Sequence, residues 1–374
     1  MKMYIKPITK QQLNEYLSIP DLTNDPKSHA IKLVYEKIAD RVRSIHPSST
    51  IEIHRKDPIV SIKDNYDNLN IAKDNISRSS TYTHYVDNTH ILRTHTTAQI
   101  PGILRELAKR TDWDDVVILL PGLAYRRDVT DKKHVGQVHM LEMWRVCKNN
   151  NITKSDLLKT VRAIAEAAAP GWKLRIVDSP HPYTEQGIEV NAINDDNDIE
   201  ILECGLINKQ ILSNAGLDPS MYSGWALGMG LDRLVMTLKQ IPDIRYLRSK
   251  NPAIAKQMQN LNKYIEVSDQ PAIKRDMSYS VPTSYVEEDI NEEIRQALGA
   301  NEPLLESVEI LSTTNYVCLP VVAVEKLGIK PNQKNILVRV TLRSLEASIT
   351  NDQANKIYSQ IYPKINHGTA GYYQ

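Results

Sequence analysis

Two largely apolar stretches on either side of a charged loop constrain the fold of this chain most strongly. Residues 116–120 and 143–147 have the pattern of extended strands, and Arg126 and Arg127 lie at the start of the loop between them. Such a pair of strands predicts an antiparallel hairpin. Because side chains alternate along a strand, one carboxylate, Glu142, lies on a mainly apolar face of the second strand. That face also holds Val138, Met140, Trp144 and Val146.

The loop of this hairpin allows two interpretations. Its two arginines, followed by Asp131 and His134, are suited to holding a polyanion against the sheet. A charged loop is more often a hairpin tip that faces water. The loop alone does not decide between these interpretations.

Composition limits the class of protein. With 374 residues, 41% of them hydrophobic, the chain is long enough for two or three domains. A net charge of +1 argues against a protein that coats polyanions as a whole. Three widely separated cysteines argue against disulfides and structural zinc. The sequence shows neither an apolar run of membrane-spanning length nor a transit-peptide pattern at residues 1–6, so we expect a cytoplasmic protein without membrane contact.

Phenylalanine is absent from the whole chain, although 18 tyrosines are present. Ordinary usage would place on the order of ten or more phenylalanines in a chain of this length. Large side chains are therefore not scarce, and this one amino acid is excluded.

Further segments carry candidate functional groups. Asp25 is expected to cap a helix with apolar positions from 31 to 45. His95 lies in a run of hydroxyl and amide side chains ahead of a helix predicted at 101–110, where it is either a binding group or a satisfied structural histidine.

Two alternating runs, 187–193 and 199–204, predict a second hairpin. Its carboxylates, Glu189 and Glu200, either bind a metal or face water. Next comes a glycine-rich stretch that continues into a predicted helix. Arg233 lies near the start of this helix, outside the row of apolar residues that forms its buried face. An arginine at that position can reach a ligand lying over the glycine-rich strand.

After a linker at 248–270, the order of elements is strand, helix, strand, strand, helix and a possible last strand. This is the β-α-β-β-α-β order of a ferredoxin-like unit. From residue 266 onward there are 10 Lys and Arg against 14 Asp and Glu, a net charge of about −4. RNA contact by this part would need a local basic face, such as Lys330, Lys334, Arg339 and Arg343.

Taken together, the segments 92–97, 125–142, 181–185 and 224–233 resemble the signatures of class II aminoacyl-tRNA synthetases. The chain resembles in particular the phenylalanyl-tRNA synthetases of the single-chain, mitochondrial type. Residues 270–374 are similar to the ferredoxin-fold anticodon-binding domain of the same enzymes. The combination of motifs argues against the interpretation of the charged loop as a hairpin tip that merely faces water.

This resemblance implies an α+β fold, with a class II antiparallel sheet flanked by helices and a small ferredoxin-like domain. The catalytic domain would span 1–265, including an N-terminal helical extension and a linker, and the anticodon-binding domain 266–374. It also implies ATP and Mg²⁺ as cofactors, an amino acid and tRNA as partners, tRNA(Phe) being expected, and a monomeric state.

The resemblance implies catalytic roles for three residues. Arg126 would grip the α-phosphate of ATP, Arg233 the far phosphates, and His134 would help with the bent triphosphate. Glu200 would face Mg²⁺. The implied ATP-binding residues are Arg126, Asp128, His134, Val138, Glu200, Gly228, Gly230 and Arg233.

The implied amino-acid-binding residues are His95, Thr97, Met140, Glu142, His181, Tyr183, Glu203 and Ala226. Several of these residues, and one of the ATP-binding residues, depart from the family. His181 replaces the first residue of a Phe-Pro-Phe motif, Val138 replaces the Phe on which adenine stacks, and Met140 replaces a Gln. Glu203 stands where a glycine is usual. The exclusion of Phe explains the first two departures, but it does not explain Met140 and Glu203.

Three functions follow as hypotheses. The first is a phenylalanine–tRNA ligase whose own synthesis needs no phenylalanine, as a backup or an inhibitor-resistant copy. The second is a synthetase for another aromatic amino acid, in which His181, Tyr183 and Glu203 bond a ring hydroxyl. The third is a non-catalytic paralogue that binds amino acid or tRNA.

Overall fold

The computed structural model describes residues 7–128, 131–149, 151–267, 271–345 and 347–369. The chain divides into two compact units. Unit 1 comprises Met1–Arg126, Gln137–Ile241 and Gln257–Tyr264, and unit 2 comprises Arg127–Gly136, Pro242–Lys256 and Ile265–Gln374. The boundary of functional domains after residue 265 stays a prediction.

The helices and strands follow one another along the chain with short 3-10 turns between many of them. They are α1 (Lys10–Leu17), α2 (Ala30–Ile45), β1 (Thr50–Ile53), β2 (Ile59–Ser61), α3 (Ile62–Asn65), β3 (His90–Leu92), α4 (Ile100–Leu107), β4 (Asp115–Tyr125), β5 (Gln137–Lys148), α5 (Lys154–Ala168), β6 (Lys173–Asp178), β7 (Thr184–Ile193), β8 (Asp198–Ile207), α6 (Lys209–Ala215), β9 (Tyr222–Gly230), α7 (Leu231–Lys239), α8 (Pro252–Gln257), β10 (Ile273–Pro282), α9 (Glu287–Leu298), β11 (Leu305–Asn315), α10 (Val321–Leu327), β12 (Gln333–Leu342) and α11 (Asn351–Ile365). In the described ranges, no helix combines the length and apolar character that crossing a membrane requires.

A large sheet dominates unit 1. Within the described residues it contains seven strands in the order β1-β4-β5-β9-β8-β7-β6. The β1–β4 pair is parallel and the other pairs are antiparallel. The predicted hairpin is formed by β4 and β5, and the second predicted hairpin by β7 and β8. The prediction of an α+β fold built on a large antiparallel sheet is therefore confirmed.

Helices cover only part of the sheet face that carries Glu142. At one end of β4 and β5, Val116 pairs with Val146 and both pack into a buried cluster with α4 and α6. This cluster also includes Trp144 and Ala226. Glu142 pairs with Leu120 at the upper limit of the cluster. The candidate functional residues thus begin where the hydrophobic core of this face ends.

The helix predicted to begin at Asp25 begins later. Helix α2 starts at Ala30, and the imidazole Nδ1 of His29 accepts a hydrogen bond from the Ile31 backbone N–H at 3.1 Å. Asp25 instead accepts one from the Lys27 backbone N–H at 2.7 Å, which closes a turn ahead of the helix. The predicted cap was wrong because a histidine nitrogen supplies the acceptor that the helix start needs.

The opposite face of β5 is fixed by a buried hydrogen-bond network. His139 is fully buried, and its Nε2 accepts a hydrogen bond from the Leu22 backbone N–H at 3.0 Å. Its other ring nitrogen therefore carries the proton and donates to Asp232 at 3.0 Å. Asp232 also accepts a bond from the His139 backbone N–H. Since Asp232 lies in the first turn of α7, this network joins the hairpin strand to the helix that carries Arg233.

Unit 2 contains a sheet with the strand order β10-β12-β11 in its described residues, with antiparallel pairing. Buried residues of the sheet pack against α9 and α11. Helix α10 lies in the connection between β11 and β12. The possible last strand is not formed by residues 366–369, and the remainder of the chain end, 370–374, lies outside the described residues. The ferredoxin-like assignment stays a prediction.

Two tyrosines in the core of unit 2 show what the exclusion of phenylalanine means for packing. Tyr279 on β10 and Tyr358 on α11 are both fully buried. The Tyr358 hydroxyl donates to the Val340 carbonyl at 2.9 Å. The Tyr279 hydroxyl is buried without a hydrogen-bond partner among the described residues. A buried hydroxyl without a partner is unfavourable, so phenylalanine would suit position 279 better than tyrosine.

We therefore expect Tyr279→Phe to raise the free energy of unfolding of unit 2 by about 1 kcal/mol. Tyr358→Phe should lower it by about 1 kcal/mol, because the Val340 carbonyl loses a donor. Urea unfolding of the full chain with both variants measures the two effects. If Tyr279→Phe destabilises the protein as much as Tyr358→Phe, the Tyr279 hydroxyl has a bonding role and the expectation fails.

Candidate active site

A groove of small side chains runs along β9 on the sheet face that carries Glu142. Ala226, Gly228 and Gly230 alternate along this strand, so they share one face. The neighbouring strand β5 places Trp144, Glu142 and Met140 directly beside them. Two of the three β9 positions have no side chain beyond Cα, so a ligand can approach the backbone there. The groove is the centre of the candidate site.

Glu142, Gly228 and Glu203 form a row across β5, β9 and β8. Glu142 pairs with Gly228, and Gly228 pairs with Glu203. Directly paired residues of a sheet point to the same face, so both carboxylates border the space above the glycine. A Cβ atom added to Gly228 would lie 3.1 Å from Glu142 Oε2. Glycine at this position therefore keeps the space between the two carboxylates open.

Glu142 lies in a niche with little water, and only 3% of it is exposed. Its Oε2 accepts a hydrogen bond from the Thr97 hydroxyl at 2.8 Å, and its Oε1 accepts one from Trp144 Nε1 at 2.6 Å. Burial raises the pKa of Glu142 to about 7, although these two hydrogen bonds lower it. A buried carboxylate has lost most of its hydration, so it is suited to bind a cationic group that compensates for this loss.

Arg126 follows the end of β4 and is held from three sides. Its Nε donates to the Thr94 carbonyl at 2.8 Å, and its Nη2 lies 3.8 Å from Met140 Sδ. The guanidinium carbon lies 5.8 Å from the centre of the Tyr82 ring. These contacts place an arginine beside Met140, at the open end of the groove. A guanidinium with a fixed orientation is well suited to bind phosphate.

Glu200 shares the face of Glu203 because of an irregularity between β7 and β8. Glu203 pairs with Glu189, but Glu200 pairs with Asn191, which leaves one extra residue on β8. Since Glu189 and Asn191 alternate on one face of β7, their partners Glu200 and Glu203 also share a face although they lie three residues apart.

The electrostatic surroundings of Glu200 connect it to both predicted phosphate ligands. Partial burial and then the carboxylates of Glu203 and Glu189 raise the pKa of Glu200, whereas the charges of Arg233 and Arg126 lower it. Arg233 is exposed at the start of α7, and its guanidinium makes no hydrogen bond or ion pair with the described residues. An acidic group and two arginines thus act on one another at this end of the site.

His181 and Glu203 form an ion pair on the side of the groove opposite Glu142. His181 Nε2 lies 3.1 Å from Glu203 Oε1, and the Ser179 hydroxyl donates to the same oxygen at 3.3 Å. The hydrogen bond with Glu203 raises the pKa of His181, and the bond with His181 lowers the pKa of Glu203. The His181 ring is centred 5.6 Å from the Tyr183 ring, which in turn stacks on Trp144 at 6.3 Å. An aromatic row therefore ends in an imidazole whose protonated form Glu203 favours.

His95 precedes the turn that carries Thr97. Both of its ring nitrogens are buried, and neither has a hydrogen-bond partner among the described residues. Burial, and then the positive charge of Arg126, lower the pKa of His95 to about 3, so the ring is neutral. Buried nitrogens without a partner are uncommon in folded proteins and indicate a place for a ligand or water.

The remaining predicted ATP-binding residues have local contacts of their own. Asp128 and His134 belong to unit 2. His134 Nδ1 lies 2.7 Å from Asp131 Oδ2, and Arg295 donates to the Asp128 carbonyl at 2.8 Å. Val138 lies in β5 opposite Ala124 of β4. The roles predicted for these three residues in ATP binding stay predictions.

The structure adds contacts that the list of predicted site residues did not contain. Trp144 bonds Glu142, Ser179 bonds Glu203, and the Thr94 carbonyl and the Tyr82 ring hold Arg126. The period of two along β5 already placed Trp144 on the face of Glu142, so this residue could have been found. Ser179, Thr94 and Tyr82 act through loop geometry, and the sequence contained no signal for them.

The arrangement can hold a ligand with three chemical parts. The Glu142 niche suits an ammonium group, the aromatic row suits a planar ring, and Arg126 with Arg233 suits phosphates. These side chains can position a ligand and neutralise its charges. Chemistry based on positioning and charge neutralisation does not need a covalent nucleophile from the protein.

The chain belongs to the class II tRNA synthetases, since the family model described as tRNA synthetases class II core domain (F) matches residues 20–258. The membership that the sequence motifs predicted is thereby confirmed. Enzymes of this class generally use ATP and Mg²⁺.

Curated relatives over most of the chain carry a more specific description. The chain is 28% identical over 351 residues to the phenylalanine–tRNA ligase, chloroplastic/mitochondrial, of Arabidopsis thaliana, which covers 90% of this chain and 76% of that protein. It is 24% identical to the mitochondrial phenylalanine–tRNA ligase of Saccharomyces cerevisiae, covering 91% of this chain and 86% of that protein. A pyrrolysyl-tRNA synthetase structure from Desulfitobacterium hafniense aligns with a TM-score of 0.47 and 18% identity, over 68% of this chain and 84% of that chain.

The raised pKa of Glu142 predicts how amino-acid binding depends on pH. An ammonium group binds the ionised carboxylate, so below a pKa of about 7 binding must displace a proton. The KM for the amino acid should therefore rise roughly tenfold from pH 8 to pH 6, whereas the ammonium group itself stays protonated. Pyrophosphate-exchange kinetics across this range measure the effect.

Glu142→Gln is the matched variant. It should weaken amino-acid binding at pH 8 by about 2 to 4 kcal/mol and remove the pH dependence, since no titrating carboxylate remains. The KM for ATP, measured in the same buffers, controls for general effects of pH. A KM for the amino acid that stays constant from pH 6 to pH 8 in the wild type would contradict the assignment.

Proposed function

We propose that the protein is a phenylalanine–tRNA ligase, which joins phenylalanine to tRNA through an aminoacyl-adenylate. The observation that carries this proposal is the Glu142 niche beside an aromatic row. Glu142, bonded by Thr97 and Trp144, supplies the partner for an ammonium group, and Trp144 stacks on Tyr183 where a ring would lie. Family membership and the names of the relatives that align over most of the chain support the same reaction.

The two steps need charge and position from this chain. The carboxylate of the amino acid attacks the α-phosphate of ATP, the bond to pyrophosphate breaks, and an aminoacyl-adenylate forms. A ribose hydroxyl at the tRNA terminus then attacks the acyl carbon and releases AMP. In our proposal Glu142 orients the ammonium group, Arg126 neutralises the α-phosphate, and Arg233 neutralises the leaving pyrophosphate.

Glu200 fits the proposed role at Mg²⁺. Burial is the largest cause of the raised pKa of Glu200, and the carboxylates of Glu203 and Glu189 raise it further. A cation bound there would reduce the repulsion between these negative charges. The described residues contain no group of three or more metal-ligating side chains. Mg²⁺ in phosphate-handling sites is commonly held by one or two carboxylates together with phosphate oxygens and water. A single carboxylate beside Arg126 and Arg233 agrees with that mode of binding, in which the ion would stabilise charge on the phosphates.

The proposed partner is tRNA, but three members of the basic face predicted in unit 2 make internal contacts. Arg339 pairs with Asp276 at 2.8 Å, Arg343 pairs with Glu306, and Lys334 donates to a carbonyl at 2.6 Å. These internal contacts reduce the charge available to RNA phosphates. The monomeric state and the cytoplasmic location stay proposals.

The two other hypotheses are less favoured. For a ring hydroxyl, the polar partners would have to be available, but His181 and Glu203 are already paired with each other and with Ser179. A non-catalytic paralogue has no need of phosphate ligands, whereas Arg126 and Arg233 are both present and act on Glu200.

The purified protein should exchange pyrophosphate into ATP with phenylalanine and should charge tRNA(Phe). Arg126→Ala and Arg233→Ala should each lower kcat roughly 10²- to 10³-fold, as expected when a group that stabilises developing charge is removed. Arg162→Ala is a matched control, since Arg162 is exposed on α5 outside the groove. Preference for another amino acid across a panel, or exchange unaffected by both arginine variants, would overturn the proposal.

We further propose that the exclusion of phenylalanine lets the cell make this enzyme when charged tRNA(Phe) is scarce. The chain contains no phenylalanine. Tyr279 shows that the exclusion extends to a buried position where the hydroxyl has no partner and phenylalanine would pack better. The absence therefore persists at a cost in stability.

Cells whose resident phenylalanine–tRNA ligase can be depleted provide the test. Induced after depletion, the wild-type gene should restore growth. Tyr279→Phe should restore growth only when it is induced before depletion, because its single phenylalanine codon then needs the charged tRNA that is missing. This control is sharp because the variant should fold at least as well as the wild type. Equal rescue by both genes after depletion would remove the proposal.

A further inference from the structure

The His181–Glu203 pair borders the ring side of the groove. Glu203 lies across Gly228 from Glu142, at a distance of two strand spacings, or about 9 to 10 Å between backbones. A ligand whose ammonium group binds Glu142 and whose side chain extends over Gly228 therefore faces the pair. Burial dominates the pKa of Glu142, but the charge of His181 also lowers it, as expected for groups that border one space.

The orientation of His181 is fixed on several sides. Its Nε2 points to Glu203 Oε1 at 3.1 Å, and only 16% of its side chain is exposed. On the other side of the ring, a Cβ added to Gly187 would lie 3.3 Å from His181 Nδ1 and 2.2 Å from the Ser179 carbonyl. Gly187 thus permits the backbone to pass closely beneath the imidazole. A larger residue there would displace the ring.

Glu203 favours the protonated form of the imidazole. The hydrogen bond between the two side chains raises the pKa of His181, and Glu203 Oε1 also accepts the Ser179 hydroxyl. Two donors on Glu203 Oε1 thus fix the carboxylate in place. The ion pair forms without a ring hydroxyl from the ligand.

A charged imidazole next to an aromatic row has a specific use. An aromatic ring has a negative face, and a cation within about 6 Å of its centre is attracted to that face. The Trp144–Tyr183 stack already defines a place for planar groups beside His181. A neutral aromatic side chain offers only its weakly positive edge, so an imidazolium at the same place is a stronger partner for an electron-rich ring.

We propose that His181, held by its ion pair with Glu203, is a specificity-determining residue that binds the ring of an aromatic amino acid through a cation–π interaction. This inference rests on the proposed function, since it names how the same site recognises its amino acid. It assigns Glu203 the role of a positioning residue for His181, and it gives a physical reason for an acidic residue at the ring side of the groove.

The test uses pyrophosphate exchange with phenylalanine and with analogues that carry one, two and three ring fluorines. Fluorine withdraws electron density from the ring face and weakens a cation–π contact with little change in shape. For the wild type, kcat/KM should fall along the series by roughly 3- to 30-fold in total, the range expected for such a contact. His181→Phe should lower kcat/KM for phenylalanine and respond much less to fluorine.

Glu203→Gln is the second variant, because it removes the carboxylate that keeps His181 charged but leaves the imidazole in place. It should also flatten the fluorine series, and an NMR titration should show a lower pKa for His181. The same slope in the wild type and both variants would overturn the inference while leaving phenylalanine activation intact. Tyrosine preferred over phenylalanine by the wild type, with this preference lost in Glu203→Gln, would overturn it in favour of a hydroxyl-binding pair. Absence of exchange with any aromatic amino acid would refute the proposed function itself.

Discussion

The candidate site depends on the antiparallel register of β5, β9 and β8. This register alone brings Glu142 and Glu203 to the two sides of Gly228, although the three residues are far apart in sequence. A shift by one residue would turn every side chain of a strand to the other face. The His139–Asp232 network on the reverse face ties β5 to the start of α7, so it holds the same strand that carries Glu142. The buried network on the reverse face of the sheet thus fixes the position of the strand that carries Glu142.

Much of this arrangement could be predicted from local patterns, and the rest depends on contacts that no local pattern contains. The alternation along β5 placed Glu142 and Trp144 on one face, because strand geometry repeats every two residues. The extra residue on β8 that turns Glu200 to the face of Glu203 has no such signal, since it appears only when two strands are paired. The start of α2 was missed for a related reason: His29 is not a common cap, and only its position in the structure shows that its ring accepts the Ile31 backbone N–H.

The exclusion of phenylalanine is a constraint on composition that packing has to accommodate. Tyrosine fills large buried positions, and its hydroxyl then needs a partner. Tyr358 finds one in the Val340 carbonyl, whereas Tyr279, in the same core, finds none among the described residues. The Val340 carbonyl can accept the Tyr358 hydroxyl although Val340 lies in the central strand β12, because a carbonyl oxygen has two lone pairs. Stability alone would favour phenylalanine at position 279. This supports our proposal that a requirement outside the folded state excludes phenylalanine from the chain.

The charges of the described residues favour Glu142 as the proposed site for the ammonium group of a substrate. Glu203 already pairs with His181, and Glu200 is under the influence of Arg126 and Arg233. Among the described residues, the hydrogen-bond partners of Glu142 are neutral donors, so of these carboxylates it gains most from a new cation. In our proposal, an amino acid bound at Glu142 extends its carboxylate toward Met140, about 7 Å away along β5. Arg126, which follows β4, lies beside Met140. Because Glu203 and Glu200 already interact with positively charged partners, Glu142 is the carboxylate that would orient the ligand. In our proposal the ligand then extends along the groove from Glu142 toward Arg126.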